Sequence, residues 1–109
     1  MQIPDFEEIA SVDEFDLADR IEVFLEDTPI LLIQVNDQYF AIEDVCTHDG
    51  QPLTDGSIEE GEIVCPRHGA RFDISTGKAL CLPATKAIQT FEVEVRGRKI
   101  FARAKTITD

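Results

Sequence analysis

The residues able to do chemistry sit in two short stretches, CTHDGQP at 46–52 and CPRHGARFD at 65–73. Each brings one cysteine and one histidine together, and they hold both histidines and two of the three cysteines in the chain. The spacing is Cys46-x-His48, sixteen intervening residues, then Cys65-x-x-His68. A tight loop of this kind offers a bite of two donor atoms, so two loops supply what a four-coordinate ion or a binuclear cluster needs. Zinc, an iron–sulfur centre and coincidence are the readings to weigh. Zinc sites with two cysteines and two histidines usually pair Cys with Cys and His with His, so the mixed pairs count against zinc. Coincidence would need both histidines and two cysteines to fall in register by chance.

The elements that must position these loops read as β-structure. IEVFLED (21–27) alternates, and PILLIQV (29–35) and QYFAIED (38–44) flank Asn36-Asp37, a hairpin signal. FEVEV (91–95) and KIFARA (99–104) flank Arg96-Gly97-Arg98, a second hairpin. Between the hairpins, residues 50–83 hold five of six glycines and three of five prolines, the punctuation of loops and tight turns. Short strands fit there at Ile63–Cys65 and Arg71–Ile74, with Ser75-Thr76-Gly77 turning between strands. The first twenty residues are weakly patterned, with a helical turn expected around Val12–Ala18. The spacing predicts an all-β antiparallel sandwich, one domain over 1–109, with a loop-rich metal-carrying lobe at about 45–83. Gly50 and Gly69, just beyond the two histidines, let the backbone turn sharply.

Composition narrows the partners. Residues 1–65 hold 18 acidic and one basic residue; residues 66–109 hold 4 acidic and 9 basic, for a net charge of −12. Phosphate binding needs a basic footprint, so nucleic acid is excluded as a partner. An acidic surface suits steering toward a basic protein, or simply solvation. Three cysteines do not make a disulfide framework and fit a reducing compartment. The apolar run Ile30–Ile33 is too short to cross a bilayer. MQIPDFEE is not a secretion signal, so a cytoplasmic location is expected.

With CTH, CPxHG and the following Phe72-Asp73 in place, the paired motif resembles the Rieske iron–sulfur family from Cys46 to about Pro83, and LPATKAIQTFEVEV (82–95) is similar to the strand leaving the cluster lobe of small Rieske ferredoxins. The resemblance implies one [2Fe–2S] cluster per chain, with Cys46 and Cys65 on one iron as thiolates and His48 and His68 on the other as neutral imidazoles. High-potential members add a cysteine to each loop; here those positions are Gln51 and Arg67, so no such disulfide forms. They also place serine and tyrosine hydroxyls near the cluster, where this chain has Ala70 and Phe72. Fewer donors stabilise the reduced state less, so the expected potential is at the low end of the family's span, around −150 mV.

The chain contains neither a dinucleotide fingerprint nor further histidines for a mononuclear iron site. The resemblance therefore implies a one-electron carrier and not an enzyme: the ferredoxin component of an aromatic-ring dioxygenase system. It would be a monomer docking transiently on a flavin-dependent NAD(P)H reductase and on a terminal oxygenase. The alternatives are the small Rieske-like subunit of an assimilatory nitrite reductase and a zinc-stabilised interaction module. Cys81 is expected to pack beneath the lobe as a small hydrophobe, Pro83 to shape a loop over one side of the cluster, and Leu53, Pro66 and Leu82 to form an apolar collar or ordinary packing. Arg67 is either part of a docking tip or an exposed side chain standing where a disulfide would otherwise be.

Overall fold

The computed structural model describes residues 5–105. Ten strands follow in order: β1 (Glu7–Ser11), β2 (Arg20–Leu25), β3 (Thr28–Val35), β4 (Gln38–Glu43), β5 (Ile58–Glu59), β6 (Glu62–Val64), β7 (Arg71–Asp73), β8 (Ala79–Cys81), β9 (Thr90–Arg96) and β10 (Lys99–Ala104). They form two antiparallel sheets, one of six strands ordered β1-β10-β9-β4-β3-β2 and one of four ordered β5-β6-β7-β8. Both expected hairpins are present. Asn36 and Asp37 take φ of 50° and 66°, the left-handed pair that matches the strand twist, and Val35 faces Gln38 across the turn. Gly97 and Arg98 close the second hairpin, with Arg96 opposite Lys99.

The run ILLI in β3 is apolar without alternation because both faces of that strand are covered. Leu31 and Ile33 join Ile42, Leu53, Ile63, Phe72 and Ile74 in a core shared with the small sheet. Ile30 and Leu32 face the other way and pack with Ala10, Phe15, Ala41, Phe91 and Ile100. That second core lies inside the curl of the large sheet, whose edge strands β1 and β2 come into contact. A strand buried on both faces reads as a continuous hydrophobic run.

Three differences from the sequence-based expectation stand out. The helical turn is a single 3-10 turn, Val12–Phe15, shorter than expected. Ser11 caps it: the Ser11 hydroxyl accepts from the Asp13 N–H, and the Glu14 carboxylate accepts from the Ser11 N–H at 2.8 Å. Phe15 pins it edge-on against Tyr39, 5.0 Å between ring centres. Secondly, the weakly patterned start contains β1, which owes its place to pairing with β10. Thirdly, β5 and β8 close the two sides of the small sheet around the expected strands β6 and β7.

Candidate metal centre

The two cysteine-containing loops have the same backbone design. In the first, the Gly50 N–H donates to the Cys46 carbonyl (2.7 Å) and the Cys46 N–H to the Gln51 carbonyl (2.8 Å). In the second, the Gly69 N–H donates to the Cys65 carbonyl (3.0 Å) and the Cys65 N–H to the Ala70 carbonyl (2.7 Å). Each loop therefore closes on itself within six residues. The closure puts the fifth residue at φ +74° (Gly50) and +77° (Gly69), a region L side chains rarely adopt. The first loop follows β4 directly, and the second joins β6 to β7.

These frames bring the predicted residues together in two pairs, thiol with thiol and imidazole with imidazole. Cys46 and Cys65 are free, buried thiols in the core under the lobe. Their sulfurs and a carboxylate oxygen of Asp49 all lie within 4.8 Å of one another. His48 and His68 are exposed, with ring centres 5.2 Å apart and planes nearly perpendicular at 86°. The donors are thus layered, with sulfur inside and imidazole at the surface.

Burial pushes the Cys46 thiol above its ordinary value, while the backbone amides of His48 and Asp49 turn toward it and favour the thiolate. Such amide donors suit a sulfur that carries negative charge, as a metal-bound thiolate does. Two thiols and two imidazoles presented by matched loops fit a [2Fe–2S] group with two cysteine and two histidine ligands. Ala70 and Phe72, both fully buried, line the same core and add no hydroxyl to it.

Several residues that hold the loops were not singled out in the sequence. Asp44 is the one buried charged side chain among the described residues. Its carboxylate accepts from the Leu53 N–H at 2.7 Å and from the Thr54 hydroxyl, and its own N–H donates to the Pro29 carbonyl at 2.9 Å. It thereby ties the entry of the first loop to the residues that follow it. Thr47 donates its hydroxyl to the Lys86 carbonyl at 2.7 Å, linking that loop to the segment after Pro83. Arg20, the one basic residue among the first 65, donates to the Thr54 carbonyl at 2.9 Å and to the Gly56 carbonyl, and pairs with Asp19. For Asp44 and Thr47 the only signal was a position beside or within the first motif, and for Arg20 that it is the one basic residue of the acidic half.

Other expectations are corrected. Cys81 is exposed, not packed beneath the lobe, because β8 is an edge strand; its thiol lies 3.6 Å from the Gly69 carbonyl. Of the suggested collar, only Leu53 is buried, while Pro66 and Leu82 are exposed. Pro83 is half-buried and follows a cis peptide bond. Arg67 is an exposed side chain whose Nε contacts Asp49 Oδ2 at 2.6 Å and whose Nη2 donates to the Pro52 carbonyl at 2.9 Å. This guanidinium holds the Asp49 carboxyl down at about 2.

An antiparallel β-fold that presents two matched Cys/His loops at the end of a small sheet defines a metal-cluster domain. The chain belongs to the Rieske [2Fe–2S] domain family, whose model matches residues 5–92, and it carries the single [2Fe–2S] cluster that this family is defined by. Among curated relatives it is 36% identical, over 86% of its own length and 90% of the relative's, to the ferredoxin component of the naphthalene 1,2-dioxygenase/salicylate 5-hydroxylase systems of a Ralstonia species. Among solved structures it is similar to the ferredoxin of carbazole 1,9a-dioxygenase from Nocardioides aromaticivorans, with a TM-score of 0.85 and 26% identity over 94% of this chain and 100% of that one. It is also similar to a chain in a complex of reduced oxygenase and oxidised ferredoxin of carbazole 1,9a-dioxygenase, with a TM-score of 0.83 and 27% identity over 95% and 97% of the two chains. These relatives are named as ferredoxins of dioxygenase systems and not as the oxygenases themselves.

Proposed function

We propose that the protein is the ferredoxin component of an aromatic-ring dioxygenase system, a monomer of one domain over 1–109 with its cluster lobe at about 45–83. It takes single electrons from a flavin-dependent NAD(P)H reductase and delivers them to a terminal oxygenase in the cytoplasm. Cys46 and Cys65 are the thiolate ligands of one iron, and His48 and His68 the imidazole ligands of the other. The bound [2Fe–2S] cluster supplies reversible one-electron chemistry. The chain's residues supply everything else: the buried thiols anchor the group under the lobe, and the exposed imidazoles form the edge through which a partner is approached.

The observation that carries this reading is the layering of donors, with both cysteines buried and both histidines exposed and 5.2 Å apart. A structural zinc site gains nothing from exposing half of its ligands, whereas a carrier exchanges electrons by close approach. The relatives are named as ferredoxin components, which supports the same role.

Visible absorption and low-temperature EPR of the purified protein, followed by titration into the reductase and oxygenase of a naphthalene 1,2-dioxygenase system, test it. A Rieske spectrum lost in both His48→Ala and His68→Ala, with oxygenase turnover rising as the protein is added, is the expected result. A colourless zinc protein, or a chromophore unchanged by either substitution, refutes the reading. Stoichiometric co-purification with a large subunit would instead mark a fixed subunit.

A further inference from the structure

We propose that Arg67 is a positioning residue: an ionic strap that holds the second cluster loop against the first. The inference rests on the reading above, in which the two loops share one cluster. Each loop is closed by its own backbone bonds, Gly50 to Cys46 and Gly69 to Cys65. Among the described residues, Arg67 makes three hydrogen bonds from one loop to the other, beside the facing Cys46 and Cys65 thiols and the 3.9 Å approach of His68 Nδ1 to Asp49 Oδ2.

Its guanidinium forks onto the Asp49 carboxylate, Nε to Oδ2 at 2.6 Å and Nη2 to Oδ1 at 3.3 Å, and Nη2 also reaches the Pro52 carbonyl at 2.9 Å. The planar fork uses two edges of one rigid group on two acceptors of the other loop, which a lysine ammonium cannot reproduce. The pair is partly exposed, with 32% of the Arg67 and 18% of the Asp49 side chain accessible. Its forked geometry, not burial, separates it from the surface ion pairs that contribute little.

Arg67 lies between Cys65 and His68, and Asp49 follows His48, so the strap joins the loops at the residues that flank the ligands. A cluster held by two thiolates from one side and two imidazoles from the other stays bound only while both loops keep their separation. Arg67 therefore sets how long the cluster is retained and how uniform its surroundings are. It does not touch the redox chemistry directly, and its Nε and Nη2 donors are engaged within the protein.

The test uses the cluster-loaded protein and four variants: Arg67→Met, Arg67→Lys, Asp49→Asn and the double variant D49N/R67M. The readouts are the half-life of the visible chromophore in an iron chelator at low and high salt, and the EPR line width of the reduced state. Arg67→Met is expected to shorten the half-life about five-fold at low salt, broaden the EPR lines and remove most of the salt dependence seen in the wild type. Arg67→Lys falls between the two, and D49N/R67M loses its cluster no faster than the worse single variant, since both changes cut one connection. A normal wild type with an Arg67→Met variant equal to it in half-life and line width overturns the strap alone. A wild type without a Rieske spectrum overturns the ligand reading, and the strap with it.

Discussion

Asp44 offers a sharp test of how the first loop is held. Its carboxylate accepts from the Leu53 N–H at 2.7 Å and from the Thr54 hydroxyl, and Leu53 is fully buried in the core that contains both cysteines. Asp44→Ala removes both acceptors and leaves a buried backbone donor unpaired. A hydrogen bond to a charged group contributes about 1.5–3 kcal/mol, and an orphaned buried donor costs about 1–3 kcal/mol. The two figures overlap, and relief of the buried carboxylate's own desolvation offsets part of them, so the expected net loss is about 2–3 kcal/mol. For a domain of this size, with a urea slope of about 1–3 kcal/mol per molar, the apparent midpoint should fall by roughly 1–2 M. The assay is loss of the visible chromophore against urea, read beside far-UV circular dichroism. Asp44→Asn, which keeps an oxygen for Leu53, should lose less than half as much. A midpoint for Asp44→Ala indistinguishable from the wild type would refute the anchoring role.

Three further outcomes follow from the geometry. Gly69→Ala adds a methyl that meets nothing within 4 Å, so its cost is the backbone's alone at φ +77°, about 1–2 kcal/mol, readable in the same urea assay. The Asp73 carboxyl is held below its ordinary 3.8 by the Ser75 hydroxyl first and then by the Thr76 and Ser75 amides. A depressed folded pKa stabilises fully above the unfolded value and loses that contribution as pH falls through the folded one. The melting-temperature gap between wild type and Asp73→Asn should therefore be open at neutral pH and close below 3.8, and a gap independent of pH contradicts this. With Ala70 and Phe72 in the core and no hydroxyl from either, a redox titration should return a potential near the low end of the family's range, about −150 mV, and a value above zero overturns the argument.

The ligand loops were legible because their signal is chemical type at short spacing, which needs no knowledge of the fold. Both hairpins were legible for a similar reason: Asn36-Asp37 and Gly97 announce the left-handed turns that they adopt. What escaped depends on distant partners. β1 carries Glu7 and Glu8, exposed on an edge, and becomes a strand through pairing with β10 about ninety residues away. Cys81, between Leu80 and Leu82, has the neighbours of a core residue; only the order of the small sheet, with β8 at its edge, turns that segment outward. The ion pair of Arg67 escaped because its partner Asp49 is eighteen positions away in a different loop.

The charge map bears on how a carrier of this kind would meet its partners. Within the two loops that bear the histidines the charged side chains are Asp49 and Arg67, and these are paired with each other. The acidic excess lies elsewhere, with Glu7, Glu8, Asp13, Glu14, Asp16, Glu22 and Glu26 along β1, the 3-10 turn and β2. The two loops themselves are thus charge-balanced, with the exposed Pro66 between Cys65 and Arg67. In the proposed carrier role, steering and contact would therefore fall to different parts of the molecule. Long-range attraction from the acidic body would act on encounter, screened beyond about 10 Å at moderate salt, while a contact around the imidazoles would hold the complex once formed. In stopped-flow measurements with the terminal oxygenase, added salt should lower the association rate steeply and leave the dissociation rate almost unchanged. A dissociation rate that climbs with salt as fast as association falls would place the acidic residues inside the contact itself.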